Sequence, residues 1–394
     1  MAEQKSLRDT LKAISKKYGE NVVKIGVSDL TVDGVLSLGS PSADFALYGG
    51  IPEGRITEFC GAEGSGKTTT AFICAGMYQK KELERNPENP RAIIFLDNEG
   101  TADPVWAKTL GYDMSEEAPV PTICIRPEAQ SAEEIFDMAL DLLKTGDVGL
   151  LIFDSIATLV PMQIADESME KQQMGGIAKA LTRFANTAMG LLRKYKATLI
   201  AINQVRENIS GYGDPLITPG GRAWKHACSS RLMFKRGAFF DEEGNELQKK
   251  NAQSPAGHIV EMYVLKTKTC KWDRKLAYYH LDYTRGVDIL ADTIDVANHF
   301  GYIQNPAQGS FVVVDPATGE VMLDSFGKEI KIRGKKNLID YFRSNMDIWR
   351  KLYDLCEEKL KQKEDPFIKS FEDLLNIDVT EKLGVNAETN LEEI

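Results

Sequence analysis

The stretch GAEGSGKTTT, residues 61–70, constrains this chain more than any other. Gly61, Gly64, Gly66, Lys67 and Thr68 stand at the spacing G-x-x-x-x-G-K-[ST], between the apolar run RITEFC and the helix-like TTTAFICAGMYQK. A strand that turns through glycines into a helix presents backbone N–H groups at the helix N-terminus, where an anion is held. On this reading Ala62, Glu63, Ser65 and Thr69 line the cradle with the three glycines. Lys67 reaches the β- and γ-phosphates of a nucleotide such as ATP, and the Thr68 hydroxyl ligates Mg2+. The competing reading is a plain Gly/Ser turn, which the strand–loop–helix context disfavours.

The rest of the chain supplies a sheet for such a loop. Short apolar runs recur at RAIIFLD, TICIRP, GLLIFD, ATLIAIN, SSRLMFK and HIVEMYVLK, with helical patterns between several of them, as at 132–144 and 176–195. Alternation of this kind predicts an α/β fold, a P-loop NTPase core with a mostly parallel central sheet. Continuously apolar strands predict that both faces of the sheet are covered. Before the core, 6–17 reads as a helix with Leu7, Leu11 and Ile14 on one stripe, and 21–26 as a strand. After about 287 come a helix at DILADTIDVANHFG, a hairpin candidate at FVVVDPATGEVMLD and increasingly charged helical sequence. These divide the chain into an N-terminal helix–strand unit (1–35), the core (36–286), a small α+β C-terminal domain (287–350) and an acidic, partly mobile tail (351–394).

Strand ends on one edge of a parallel sheet are where ligands gather. GLLIFDS ends in Asp154, the expected second metal carboxylate beside Thr68. RAIIFLDNEG ends in Asp97, Asn98 and Glu99. Hydrolysis needs a group to orient the attacking water; Glu99 is the first choice on the residues alone, and Asp97 remains open.

The net charge of −10 argues against nucleic acid as a partner only if it is spread evenly. It is not: from Asp354 onward there are twelve acidic and five basic residues, so the body is close to neutral. No apolar run approaches a membrane span and the N-terminus is charged, so a cytoplasmic protein with no membrane partner is expected. The six cysteines never form CxxC and the four histidines are dispersed, which predicts neither zinc nor a disulfide framework.

Two long stretches after sheet strands contain little that builds a core: about 162–176, MQIADESMEKQQMGG, and about 206–222, RENISGYGDPLITPGGR. Loops of that length are functional or disordered. A further basic cluster stands at Arg333, Lys335 and Lys336.

Taken together, GRITEFCGAEGSGKTT, FLDNEGTADPVWAKTLG, LLIFDSIATLVP, AINQVREN, TPGGRAWKHACSSRLMFKR and VLKTKT resemble, in order and spacing, the bacterial RecA family of homologous recombinases. The resemblance implies that Glu99 activates the water, in preference to Asp97. It implies that Asp103 and Trp106 contact adenine, with tryptophan where the family usually has tyrosine. Gln204 would sense the γ-phosphate, the alternative being a polar strand terminus. Both long stretches would grip single-stranded DNA, through Met174, Gly175 and Gly176 in the first. Arg206, Ile209, Tyr212, Gly220, Gly221, Arg222 and Lys225 would do so in the second. Lys266 and Lys268, two apart and therefore on one face of their strand, would reach the γ-phosphate of a neighbouring subunit; otherwise they are a solvated strand end. The implied activity is DNA-stimulated hydrolysis of ATP with Mg2+. It would drive helical filament assembly on single-stranded DNA and strand exchange with double-stranded DNA. A ring helicase and a non-catalytic paralogue are the alternatives.

Overall fold

The computed structural model describes residues 7–18, 34–162, 176–207, 216–242, 246–248 and 253–361. One compact unit spans Val32–Lys361; of the remainder, helix α1 (Leu7–Tyr18) is described. The strand expected at 21–26 and the tail beyond 361 lie outside the described residues.

The compact unit opens with β1 (Val35–Leu36), α2 (Pro41–Ala46) and β2 (Ile51–Pro52), and β1 pairs antiparallel with β2. Strands and helices then alternate: β3 (Ile56–Gly61), α3 (Lys67–Arg85), β4 (Ala92–Asp97), α4 (Pro104–Thr109), β5 (Thr122–Ile125), α5 (Ala132–Thr145), β6 (Val148–Asp154), α6 (Gly176–Tyr195) and β7 (Thr198–Gln204). After the short ladder of β8 (Arg206–Glu207) with β9 (Leu216–Ile217) comes α7 (Gly221–Ala227). The sheet is completed by β10 (Ser230–Phe240), β11 (Glu246–Leu247), β12 (Gly257–Thr267), β13 (Leu276–Asp282) and β14 (Gly286–Val287). Its ten strands run β14-β13-β12-β10-β3-β7-β6-β4-β5, with β11 paired to β10. From β10 to β5 every pairing is parallel; β11 to β14 join antiparallel.

The period of two along each strand explains the two cores. Ile93, Phe95, Leu150 and Ile152 face one side with Phe59, Phe72 and Tyr78. Their neighbours Ile94, Leu96, Leu151 and Phe153 face the other, against Phe136 of α5 and Phe184 of α6. β5 departs from the expectation of full burial, since Ile123 and Cys124 are exposed on the sheet's edge. Helix α5 begins where its sequence says it should. Ser131 and Glu134 form a capping box, and Gly146 at φ 84° stops the helix.

The C-terminal part has its own apolar cluster, with Ile294, Ile303, Val313, Leu338, Phe342, Trp349 and Leu352. Its elements are α8 (Ile289–His299), β15 (Ile303–Ala307), β16 (Ser310–Val313), β17 (Lys331–Arg333), α9 (Lys335–Ser344) and α10 (Met346–Lys361). The expected hairpin does reverse between Val314 and Val321, but the ladders of β16 run to β15 and β17.

One buried ion pair ties α3 to the strand beside it. Glu82 is 1% exposed and receives Arg91 Nε at 2.9 Å and Nη2 at 3.0 Å, while Arg91 Nη1 donates to Tyr195 O at 2.9 Å. Burial opposes ionisation of Glu82, but hydrogen bonds from Arg91 and Asn86 outweigh it and hold the carboxyl down at about 2. A depressed carboxyl stabilises the fold above its unfolded value, near 4.5, and that contribution is lost as pH falls toward 2. Glu82→Gln should therefore lower the urea midpoint at pH 6. The gap from the parent should narrow on going to pH 3, whereas a gap independent of pH would contradict the ionic account.

Candidate functional site

The glycine loop joins the end of β3 to the start of α3, and its backbone is shaped for an anion. Gly66 caps the helix at φ 92°, a left-handed conformation that side chains avoid. A Cβ there would stand 3.1 Å from Val260 Cγ2. Lys67 Nζ donates to Ala62 O at 2.7 Å, and Ser65 Oγ donates to the same carbonyl at 2.7 Å. Glu63 is exposed and Thr69 half-buried.

Thr68 Oγ1 donates to Asp154 Oδ2 at 2.7 Å, joining the first turn of α3 to the end of β6. Burial pushes the Asp154 carboxyl up to about 6; Glu99 adds to this, while the Thr68 bond and Lys67 oppose it. Lys67 is itself lowered by burial, against the pull of Asp154 and Glu99. Mg2+ takes few protein ligands and keeps phosphate oxygens and waters. One hydroxyl and one carboxylate at this distance meet that demand, and a divalent charge would relieve the crowding of carboxylates.

The two carboxylates left open after β4 differ sharply in their surroundings. Asp97 is buried, accepts from Thr101 N at 3.0 Å and Ala102 N at 3.4 Å, and pairs with Arg126 Nε at 3.0 Å. Those bonds shape the turn. Glu99 is exposed, and its Oε1 accepts from Ser155 Oγ at 2.7 Å and Gln204 Nε2 at 2.9 Å. Three strand ends thus meet at Glu99.

Asp103 caps α4, its Oδ1 accepting from Val105 N at 2.9 Å and Trp106 N at 3.2 Å, and Trp106 packs half-buried against the core. Neither is brought to the phosphate loop by a hydrogen bond among those observed.

Of the expected DNA residues, Met174, Gly175, Ile209 and Tyr212 lie outside the described residues. Gly176 opens α6, and Arg206 is exposed in β8 opposite Ile217. Gly220, at φ 106°, caps α7, where a Cβ would meet the Trp224 ring at 3.0 Å. A groove of about 660 Å³ lies between α6 and the start of α7. Lys179, Thr182, Arg183 and Arg222 line it with Gly220 and Gly221. Lys179, Thr182 and Arg183 did not figure in the sequence reading. Their three- and four-residue spacing on one helix face was the available signal.

A family model described as RecA N-terminal domain matches residues 5–288. The chain is 33% identical over 299 residues to Protein RecA of Fusobacterium nucleatum subsp. nucleatum, covering 75% of this chain and 72% of that one. It is 31% identical over 350 residues to Protein RecA of Thermus aquaticus, covering 88% and 92%. The chain belongs to the RecA family. It is an ATP-dependent recombinase and a DNA-dependent ATPase, and RecA membership implies DNA binding and filament formation. Among the described residues no helix is long and apolar enough to cross a membrane, and no cluster of three or more His, Cys, Asp or Glu is placed to hold a metal. The six cysteines are free thiols.

Lys266 in β12 and Lys268, just beyond the strand's end, have a partner that spacing did not reveal. Lys266 Nζ donates to Lys225 O at 2.5 Å and His226 O at 3.2 Å; Lys268 Nζ donates to His226 O at 2.6 Å. They cap the C-terminal carbonyls of α7, where a helix end favours cations. Lys335, in the further basic cluster, is bound to the Asp295 carboxylate at 2.7 Å.

Ser155 is the residue at this RecA site that motif reading passed over, because its hydroxyl acts only once β4 and β6 lie side by side. Ser155→Ala should slow DNA-stimulated ATP turnover by roughly five- to tenfold, the loss of one hydrogen bond of about 1 kcal/mol. Glu99→Gln should slow it on the order of 10²–10⁴-fold. Phosphate-release rates on single-stranded DNA decide; equal losses in the two variants would remove Ser155 from a supporting role.

Proposed function

We propose that this recombinase assembles as a helical filament on single-stranded DNA, with ATP between subunits, and pairs that strand with homologous duplex. The observation that carries the reading is the convergence of Ser155, Gln204 and Glu99 beside the Lys67–Thr68–Asp154 group, with Gln204 ending the strand that runs into the second long loop.

In this scheme the glycine loop and Lys67 hold the phosphates, and Thr68 and Asp154 would hold Mg2+. Bound ATP and Mg2+ supply the phosphoryl group and neutralise part of its charge. Glu99 orients the attacking water and accepts its proton. Both observed bonds use its Oε1, so the second oxygen is assigned to the water. The Gln204 amide has two N–H donors, and a γ-phosphate oxygen competes with Glu99 for them. That competition is the sensing step.

DNA is held in the groove of α6 and α7. Backbone N–H groups around Gly220 and Gly221 contact phosphates, and Lys179, Arg183 and Arg222 add the charge that the chain as a whole lacks. Lys266 and Lys268 serve the neighbouring subunit's γ-phosphate, where developing charge needs a cation. To do so each exchanges a neutral helix carbonyl for a phosphate oxygen, the stronger acceptor.

Two experiments test this reading. Lys179→Ala, Arg183→Ala and Arg222→Ala should each weaken binding to oligo(dT) and reduce the slope of log affinity against log salt by about 0.7; unchanged slopes would remove the groove from the DNA path. Lys266→Ala with Lys268→Ala should keep nucleotide binding and lose DNA-stimulated hydrolysis. Mixed with Glu99→Gln subunits, it should regain activity above either parent, because one mixed interface carries both intact sets. No recovery in filaments shown to co-assemble would overturn the role in trans.

A further inference from the structure

At the centre of the sheet stands a carboxylate that touches neither loop residues nor the water-activating group. Glu58 is wholly buried in β3. It lies opposite Arg231 in the β3–β10 ladder, and Arg231 Nε donates to its Oε2. Its Oε1 accepts from Asn203 Nδ2 at 2.7 Å and from Trp224 Nε1 at 3.0 Å. The partners reach further. Asn203 Nδ2 also donates to Pro219 O at 3.0 Å, and Arg231 Nη2 donates to Thr218 Oγ1 at 3.1 Å.

The placement of these partners is the informative fact. Asn203 sits in β7 just before residues 205–220; Thr218 and Pro219 sit near the end of that span; Trp224 sits in the helix after it. Both ends of the second long loop are therefore tied to one buried carboxylate. Asn203 also precedes Gln204, and successive residues of a strand point to opposite faces. Gln204 bonds Glu99 on one side while Asn203 bonds Glu58 on the other. A shift of Gln204 displaces Asn203, and with it the bonds to Glu58 and Pro219.

Stability alone does not account for the arrangement, because a buried ion pair is seldom better than apolar packing of the same volume. The network is also incomplete. Asn203 Oδ1 is buried with no hydrogen-bond partner among the described residues, although buried polar atoms are nearly always satisfied.

We infer that Glu58 is a positioning residue: through Asn203, Trp224 and Arg231 it couples the state of Gln204 to both ends of the second DNA loop. The inference rests on the reading that Gln204 senses the nucleotide and that this loop grips DNA.

The test measures the affinity of purified full-length protein for fluorescein-labelled oligo(dT) with ADP and with a slowly hydrolysed ATP analogue. It also measures the KM for ATP and turnover without DNA. Trp224→Phe keeps the buried ring and removes one N–H; Asn203→Ala removes the other link. In the parent the ATP analogue should tighten DNA binding. In each variant that gain should shrink roughly fivefold or more. DNA-free turnover, ATP KM and melting temperature should stay at parent values for Trp224→Phe. Because both act through one carboxylate, the double variant should lose no more than the worse single one. Two results would overturn the inference: a parent-like gain in both single variants, or fully multiplicative losses in the double. A parent without any ATP-dependent gain would instead overturn the underlying reading of Gln204 and the loop.

Discussion

The parallel register of four adjacent strands is the constraint on which the site depends. Gly61 pairs with Gln204 across β3 and β7, and Asp97 pairs with Asp154 across β4 and β6. Each strand therefore ends at the same edge, and the turns that follow deliver Lys67, Glu99 and Ser155 to one place. A slip of one residue would turn every side chain of a strand to the opposite face. It is prevented by the two apolar layers. Phe95 and Ile152 belong to one, Leu96 and Phe153 to the other, and neither set can change sides without leaving large side chains unburied. The precision of the catalytic edge is set by packing several residues away from it.

That edge is crowded with negative charge. Asp97 and Glu99 stand at the end of β4 and Asp154 at the end of the neighbouring β6, yet each is handled differently. Arg126 and backbone N–H groups satisfy Asp97, two neutral donors bind one oxygen of Glu99, and burial, with a smaller push from Glu99, raises the Asp154 carboxyl to about 6. The strain falls on the one carboxylate bonded to Thr68, which is the pair suited to a divalent ion. Charge at the groove of α6 and α7 follows the same local logic, since Lys179, Arg183 and Arg222 gather on one surface of a chain whose net charge is −10.

What could be read from sequence was what chain neighbours determine. The phosphate loop, the α5 cap at Ser131 and Glu134, and the span of α6 follow from spacing within a few residues. Local spacing left Asp97 open beside Glu99, and the resemblance rather than the strand end favoured Glu99; the physical difference lies in Arg126, Ser155 and Gln204, each distant in the chain. β13 went unread although LAYYHLD is rich in strand-forming residues: it is not a continuous apolar run, since exposed Tyr278 and half-buried His280 interrupt it, and its partner β12 lies across a turn. The spacing of Lys266 and Lys268 predicted a shared face but not the helix end they hold. Trp224 drew no reading from the sequence, because its N–H finds Glu58 only when β3 and α7 are brought together.

Helix α7 shows why such distant bonds matter. It has seven residues, far too few to be stable by its own hydrogen bonds. Its position is therefore dictated by what grips it: Gly220 and Gly221 at the groove end, Trp224 on Glu58 in the middle, Lys266 and Lys268 at the carbonyl end. A helix held this way takes its placement from those contacts rather than from its own hydrogen bonds. Any ligand that draws the lysines from the carbonyls, or shifts the strand beside Glu58, alters the placement of Arg222 at the groove. Neither change requires the sheet to deform, so the packed core that fixes the strand-end carboxylates is compatible with a change of placement at the groove end of α7.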